Sequence, residues 1–234
     1  MLSTIILVLF MHTSLATCED IDWENIRYHV RIAEFAVYEQ GGSEESSQKN
    51  YINLKKRADA GEVFATFFIA YDYYFKNDYE NASKYFKSLS EKCDGPADSF
   101  IGHMYAEGLG TDKDLNMAII FYKKHVSSND AVKYRARAAY NISKAYDEKN
   151  GDLPTTFAHK DSVEMREAQM STAWLYVSLW MGHETAYIAN NKEIPLAQFI
   201  NSIELKNDPQ KMTWVKEQAL EICSSINGCI APNK

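Results

Sequence analysis

Few residues in this 234-residue chain are spaced for chemistry, and each candidate set is weakened by its surroundings. Ser46 and Lys49 stand at the Ser-x-x-Lys spacing, in which a lysine can activate a serine nucleophile in penicillin-recognising enzymes. They fall within Gly41 to Asn50 (GGSEESSQKN), a polar, glycine- and serine-rich stretch that reads as a linker and would hold no nucleophile in place. Gly108-Leu109-Gly110 is too short for a dinucleotide loop and follows a helical pattern, where such loops follow a strand. The histidines (His12, His29, His103, His125, His159 and His183) are scattered, with neither His-Glu-x-x-His nor His-x-His spacing. The expectation is a protein with no catalytic residue, no metal and no cofactor.

The cysteines speak of compartment. Cys18, Cys93, Cys223 and Cys229 include no Cys-x-x-Cys, so neither a thioredoxin-type site nor a zinc ribbon is supported. Cys223 and Cys229 flank Asn227-Gly228, a turn dipeptide that can fold the tail back on itself, and this favours a 223–229 disulfide. Cys18 and Cys93 would then form the second pair, although other connectivities stay open. Ile5 to Met11 is an apolar run too short to span a bilayer, which takes roughly 20 residues. With small residues at Ser14 and Ala16 it fits a secretory signal over residues 1–16, despite an n-region without Lys or Arg. Leu15-Ala16-Thr17-Cys18 also resembles a lipoprotein box with Thr17 out of pattern, in which Cys18 would carry a lipid. A periplasmic or secreted protein is expected, with no transmembrane segment in the mature chain.

Charge narrows the partners. There are 25 Lys and Arg against 32 Asp and Glu, a net charge of −7. Nucleic acid and anionic lipid both require a cationic footprint, so neither is expected as a partner. A basic protein surface would be attracted instead. Hydrophobic residues at 46% and charged residues at 24% describe a folded globular chain. Ten glycines and five prolines are too few for an all-β fold dense in turns.

The elements that must position these residues read as helices. Ile26, Val30, Ala33 and Val37 make one apolar stripe over about residues 21–39. Asn50 is expected to cap a short helix ending at Gly61. Asp208-Pro209 pairs a capping residue with an N1 proline to open a helix carrying Met212, Val215, Ala219 and Ile222. About ten helices are expected, with a longer loop from Lys149 to Lys160. Three segments beginning at Ala65, Ala97 and Ala138 each read Ala-x-x-x-Ile-small-x-x-Tyr. The first two are each followed by a second helix opening at Asp78 and Asp114. Small residues (Ala65, Ala70, Ala97, Gly102) would let paired helices approach, with Tyr73 and Tyr105 filling the gap towards the next unit. Such hairpins bury their apolar faces only against neighbours, so the expected fold is an all-α solenoid of stacked antiparallel helix pairs.

Ala97, Ile101-Gly102, Tyr105, Gly108-Leu109-Gly110, Asp114, Ala118 and Phe121-Tyr122 resemble the pattern of the Sel-one-like repeats (SLR), a tetratricopeptide-type family. The first repeat is similar, with Lys76-Asn77-Asp78 where the family has a Gly-x-Gly turn. Ala173 to Ala186 resembles the closing half of a bacterial member, and the resemblance spans about residues 50–225. After the signal (1–16) and the N-terminal helix and linker (17–49) read above, it implies repeats over 50–192 and C-terminal capping helices over 193–234. It also implies that the first helices line a concave groove gripping a protein. Phe68, Asp72, Phe100, His103, Asn141 and Lys144 fill first-helix slots that the repeat does not dictate, and are the candidate partner-binding residues. Phe68 and Phe100 either anchor a partner or are shielded by adjacent hairpins. The resemblance further implies an envelope adaptor, regulator or immunity protein. A cell-wall or β-lactam-related enzyme of the cysteine-rich repeat type and a structural spacer are the alternatives. The enzyme types carry a cysteine pair in every repeat, whereas only Cys93 lies within the repeats here. Asn81-Ala-Ser83 and Asn141-Ile-Ser143 are formal glycosylation sequons inside expected helices.

Overall fold

The computed structural model describes residues 21–38, 44–93, 95–150, 163–183, 187–189, 192–206 and 209–232. The expected signal, Cys18 with its proposed lipid, and the loop from residue 151 lie outside the described residues. Ten helices are described: α1 (Trp23–Tyr38), α2 (Glu44–Asp59), α3 (Val63–Phe75), α4 (Tyr79–Ser90), α5 (Pro96–Glu107), α6 (Leu115–Ser127), α7 (Val132–Lys149), α8 (Val163–Trp180), α9 (Leu196–Lys206) and α10 (Pro209–Ser224). Two three-residue antiparallel strands, Tyr187–Ala189 and Lys192–Ile194, form a hairpin before α9. The fold is an all-α solenoid, in which α3/α4, α5/α6 and α7/α8 are successive antiparallel pairs and α10 packs on α8.

The repeat pattern has a physical cause at each position. A Cβ on Gly102 would lie 2.8 Å from the Tyr122 ring and 3.2 Å from the Ala118 carbonyl oxygen, so α5 and α6 touch through the missing side chain. Asp78 and Asp114 cap the second helices. The Asp78 carboxylate accepts from the Asn81 amide, and the Asp114 carboxylate from the amides of Asn116 and Met117. Each such cap contributes about 1 kcal/mol. Gly108 ends α5 in the left-handed region at φ 70°. Asn77, at φ 61°, does the same work in the first unit, which explains how Lys76-Asn77-Asp78 replaces the Gly-x-Gly turn.

Three expectations are corrected. The stretch Gly41 to Asn50 is not a linker throughout: α2 begins at Glu44, so Ser46, Lys49 and Asn50 are helical and Asn50 is not a cap. Tyr51, Leu54 and Ala58 give α2 one apolar side against α3, and its basic last turn suits the helix dipole. Tyr73 and Tyr105 do not serve the gap towards the next unit alone. They stack on the ring of their own second helix, Tyr73 on Tyr85 at 5.9 Å and Tyr105 on Phe121 at 5.7 Å. Rings of the first unit that cross to the second meet at Phe100 of α5, on which Phe86 of α4 stacks at 4.6 Å.

Candidate functional site

The first helices α3, α5 and α7 share one face of the solenoid, and α1 lies across it. Phe67 and Tyr71 from α3, Phe100 from α5 and Tyr134 from α7, with Arg27 and Val30 from α1, line a cavity of about 210 Å³. The rings meet edge to face, Phe67 to Phe100 at 6.0 Å and Tyr71 to Phe100 at 5.9 Å, the geometry aromatic quadrupoles favour. Phe75 extends the apolar wall towards solvent, with its ring 4.3 Å from Tyr71.

α1 is fastened to this face at three levels. Trp23 is 2% exposed and fills a notch at Gly95, where a Cβ would fall 2.8 Å from the indole. One turn on, the Arg27 guanidinium donates through both terminal nitrogens to the Asp130 carboxylate, the Nη1 bond measuring 2.7 Å. Its plane also lies over the Tyr134 ring, 3.7 Å from the centroid. Val30, a further turn on, joins the apolar cluster of the first unit. Outside the seat, Lys133 pairs with Glu24 at the surface.

The Asp130 side chain is 0% exposed. Burial alone would raise its carboxyl, but hydrogen bonds from Arg27 and from His125 Nε2 (2.7 Å) hold it down at about 2. Arg135 fixes the turn that presents it, donating from Nε to the Asp130 carbonyl (2.8 Å) and from Nη1 to the Val126 carbonyl (3.2 Å).

A second polar cluster has the composition of a Ser-Lys nucleophile. Lys124 Nζ lies 2.7 Å from Ser90 Oγ and 3.1 Å from Asp98. The Ser90 hydroxyl, however, donates to the Asp98 carboxylate at 2.5 Å, and the same carboxylate accepts from the Gly95 amide at 2.7 Å. Both Ser90 and Asp98 are buried. The cluster closes the N-terminus of α5 and presents no exposed oxygen to a substrate. Among the described residues no group of three or more His, Cys, Asp or Glu is placed to hold a metal, and no helix is long and apolar enough to cross a membrane.

The candidate groove residues separate. Phe100 lines the cavity. His103 is exposed one turn further along α5, its ring 6.3 Å from Tyr74. Lys144 is exposed and Asn141 half-buried on α7, and neither is brought to the cavity. Phe68 is corrected: like Phe67 it is 2% exposed in the core of the first unit, but unlike Phe67 it does not line the cavity. Asp72 is buried too, accepting from the Tyr51 hydroxyl of α2 at 2.9 Å and from Lys76 at 2.9 Å. The residues that face the groove are Phe67 and Tyr71, one position earlier, a helical rotation of about 100°. Trp23, Arg27, Asp130 and Tyr134 were not singled out from the sequence, although Trp23, Arg27 and Val30 stand at i, i+4 and i+7.

Cys223 and Cys229 are joined by a disulfide, with Cα atoms 5.4 Å apart across the turn at Gly228. Cys93 is buried, and Cys18 lies outside the described residues.

No family model matches the chain. Its fold is similar to the crystal structure of a protective antigen present in uropathogenic Escherichia coli strains displaying an SLR fold. The TM-score is 0.54 at 16% sequence identity, over 86% of this chain and 38% of that one. The chain thus spans well under half the length of that protein, and the likeness is one of fold.

Proposed function

We propose that the chain is a Sel-one-like repeat protein that acts without catalysis, binding a protein partner along the face formed by α3, α5 and α7. The observation that carries this reading is the aromatic cleft of Phe67, Tyr71, Phe100 and Tyr134. Large rings cluster there around unfilled space, and such rings dominate interface energetics when a partner buries them. The partner would be basic, in keeping with the net charge of −7, and would extend over His103 towards Asn141 and Lys144. The disulfide at Cys223–Cys229 supports an oxidising compartment. The proposal accordingly places the protein outside the cytoplasm after loss of residues 1–16, as an envelope regulator or immunity protein, with residues 193–234 closing the solenoid. The burial of Ser90 and Asp98, with the Ser90 hydroxyl committed to the Asp98 carboxylate, argues against the enzyme alternative.

Affinity capture from the native envelope fraction tests this with three full-length proteins. The wild type should retain one stoichiometric partner. Tyr71→Ala should lose it with little change in melting temperature, and Tyr105→Ala should fail only through instability. Equal capture by the wild type and Tyr71→Ala overturns the assignment of the face.

A further inference from the structure

The seat beneath α1 has the features of a recognition site for a helix. Its notch at Gly95 admits an indole only because no Cβ stands there. Its floor is the ring-lined cleft, and its far wall carries one fully buried carboxylate, Asp130. A guanidinium supplied by a segment 103 residues away meets that carboxylate. Aromatic, basic and aliphatic side chains at i, i+4 and i+7 fall on one helical stripe, and the notch, the carboxylate and the cleft floor take them in turn.

We propose that this seat is itself the partner site, occupied in cis by α1, and that the partner is another protein chain presenting an amphipathic helix with an aromatic residue, an arginine four positions on and an aliphatic residue three beyond that. The proposal rests on the groove-binding reading and names its ligand chemistry. The arginine is the selective element. A buried carboxylate stripped of Arg27 demands a replacement cation, and a fork of two donors meets it better than an ammonium. A partner helix without a basic residue at that position would leave Asp130 with only its bonds from His125 and the Ala131 amide, short of the two-pronged cation it now holds, and would be disfavoured. Basic helices also match the acidic charge of the chain. α1 then sets the threshold for binding, because any partner must outcompete a covalently tethered copy of the pattern.

The probe is a labelled synthetic peptide of residues 21–38, added to full-length proteins. Binding by fluorescence anisotropy should be at least about tenfold tighter to Trp23→Ala/Arg27→Ala, whose own α1 is released, than to the wild type, by the competition argument. Adding Asp130→Asn to the released protein should abolish binding, and a peptide with Arg27→Leu should not bind. Equal binding to released and wild-type protein, or none to a released protein that circular dichroism shows to be helical, overturns the proposal. If the released protein does not fold, the wild type with a protease site at Gly41-Gly42 decides the same question: after cleavage the peptide must exchange with α1. No exchange would mean that α1 is a fixed structural element. Loss of peptide binding alongside Tyr71-dependent partner capture would sink this inference and leave the groove reading standing.

Discussion

Asp98 enters α5 and Asp130 enters α7, both with side chains fully removed from solvent, yet their carboxyls are pushed in opposite directions. Burial raises Asp98, and its bonds from Ser90, the Gly95 amide and the half-exposed Lys124 do not reverse that. Burial is outweighed at Asp130, where a two-pronged guanidinium and an imidazole meet one carboxylate. The reach of their partners differs as well. Ser90 and Gly95 lie within eight residues of Asp98, and Lys124 reaches it from the paired helix α6, so the cluster stays among neighbouring helices and closes the start of α5. Asp130 draws its cation from α1, so its ion pair joins the third unit to the start of the chain. A buried carboxylate can serve the closing of one helix or tie together distant parts of the chain, and Asp98 and Asp130 divide these uses between them.

The largest expected effect breaks the comparison at its stronger side. Asp130→Ala leaves Arg27 facing a buried hole and should cost about 3–5 kcal/mol by urea unfolding, the range for breaking a buried pair. Asp98→Ala should cost only about 1–2 kcal/mol, the worth of a lost cap and its hydrogen bonds. Equal losses would show that the long-range link is no different in kind.

The two close-approach glycines sharpen the same contrast. Gly102→Leu drives into Tyr122 and the α6 backbone and should cost up to about 3 kcal/mol in melting experiments, as overpacking does. Gly95→Ala meets only the Trp23 indole, so tryptophan emission should shift while the main melting transition holds.

Acid separates the aspartates by sign. Asp130 lies below the ordinary 3.8, so its contribution is complete above that pH and is lost as pH falls towards about 2. That contribution is about 2 kcal/mol at 1.36 kcal/mol per pKa unit. Asp98 lies above the ordinary value, so its protonation relieves burial and adds stability as pH falls through its raised folded-state value. In acid denaturation followed by circular dichroism, Asp130→Asn should flatten the fall in stability and Asp98→Asn should steepen it. Both variants moving the profile the same way would refute the contrast.

The smallest effect concerns the other α1–α7 bridge. Lys133 and Glu24 are both exposed, so Lys133→Ala should leave the melting temperature unmoved where Arg27→Ala lowers it.

The solenoid was legible because its constraints are local and repeat. Gly102 must be small where Tyr122 crosses, and Asp78 and Asp114 must begin helices. The groove was only half legible. In α3 the run Val63 to Ala70 is apolar apart from Thr66, so the pattern could not say whether Phe67 or Phe68 lines the cavity, and one residue of error put Phe68 and Asp72 in place of Phe67 and Tyr71. α2 was partly hidden because GGSEESSQKN carries no apolar stripe of its own, and tertiary packing of Tyr51, Leu54 and Ala58 decides it. Asp130 gave no signal, since nothing beside it in sequence reveals a guanidinium 103 residues upstream.

That separation also orders events in time. The ribosome completes the α1 segment long before it reaches Asp130, and at about 5–20 residues per second the gap of 103 residues lasts roughly 5–20 s. The helix pairs close through short chain separations, whereas seating α1 on α7 closes a loop of more than a hundred residues, and such contacts form slowly. The α1 segment is therefore among the last to be fully fastened, and the Arg27 guanidinium waits for Asp130 throughout that interval.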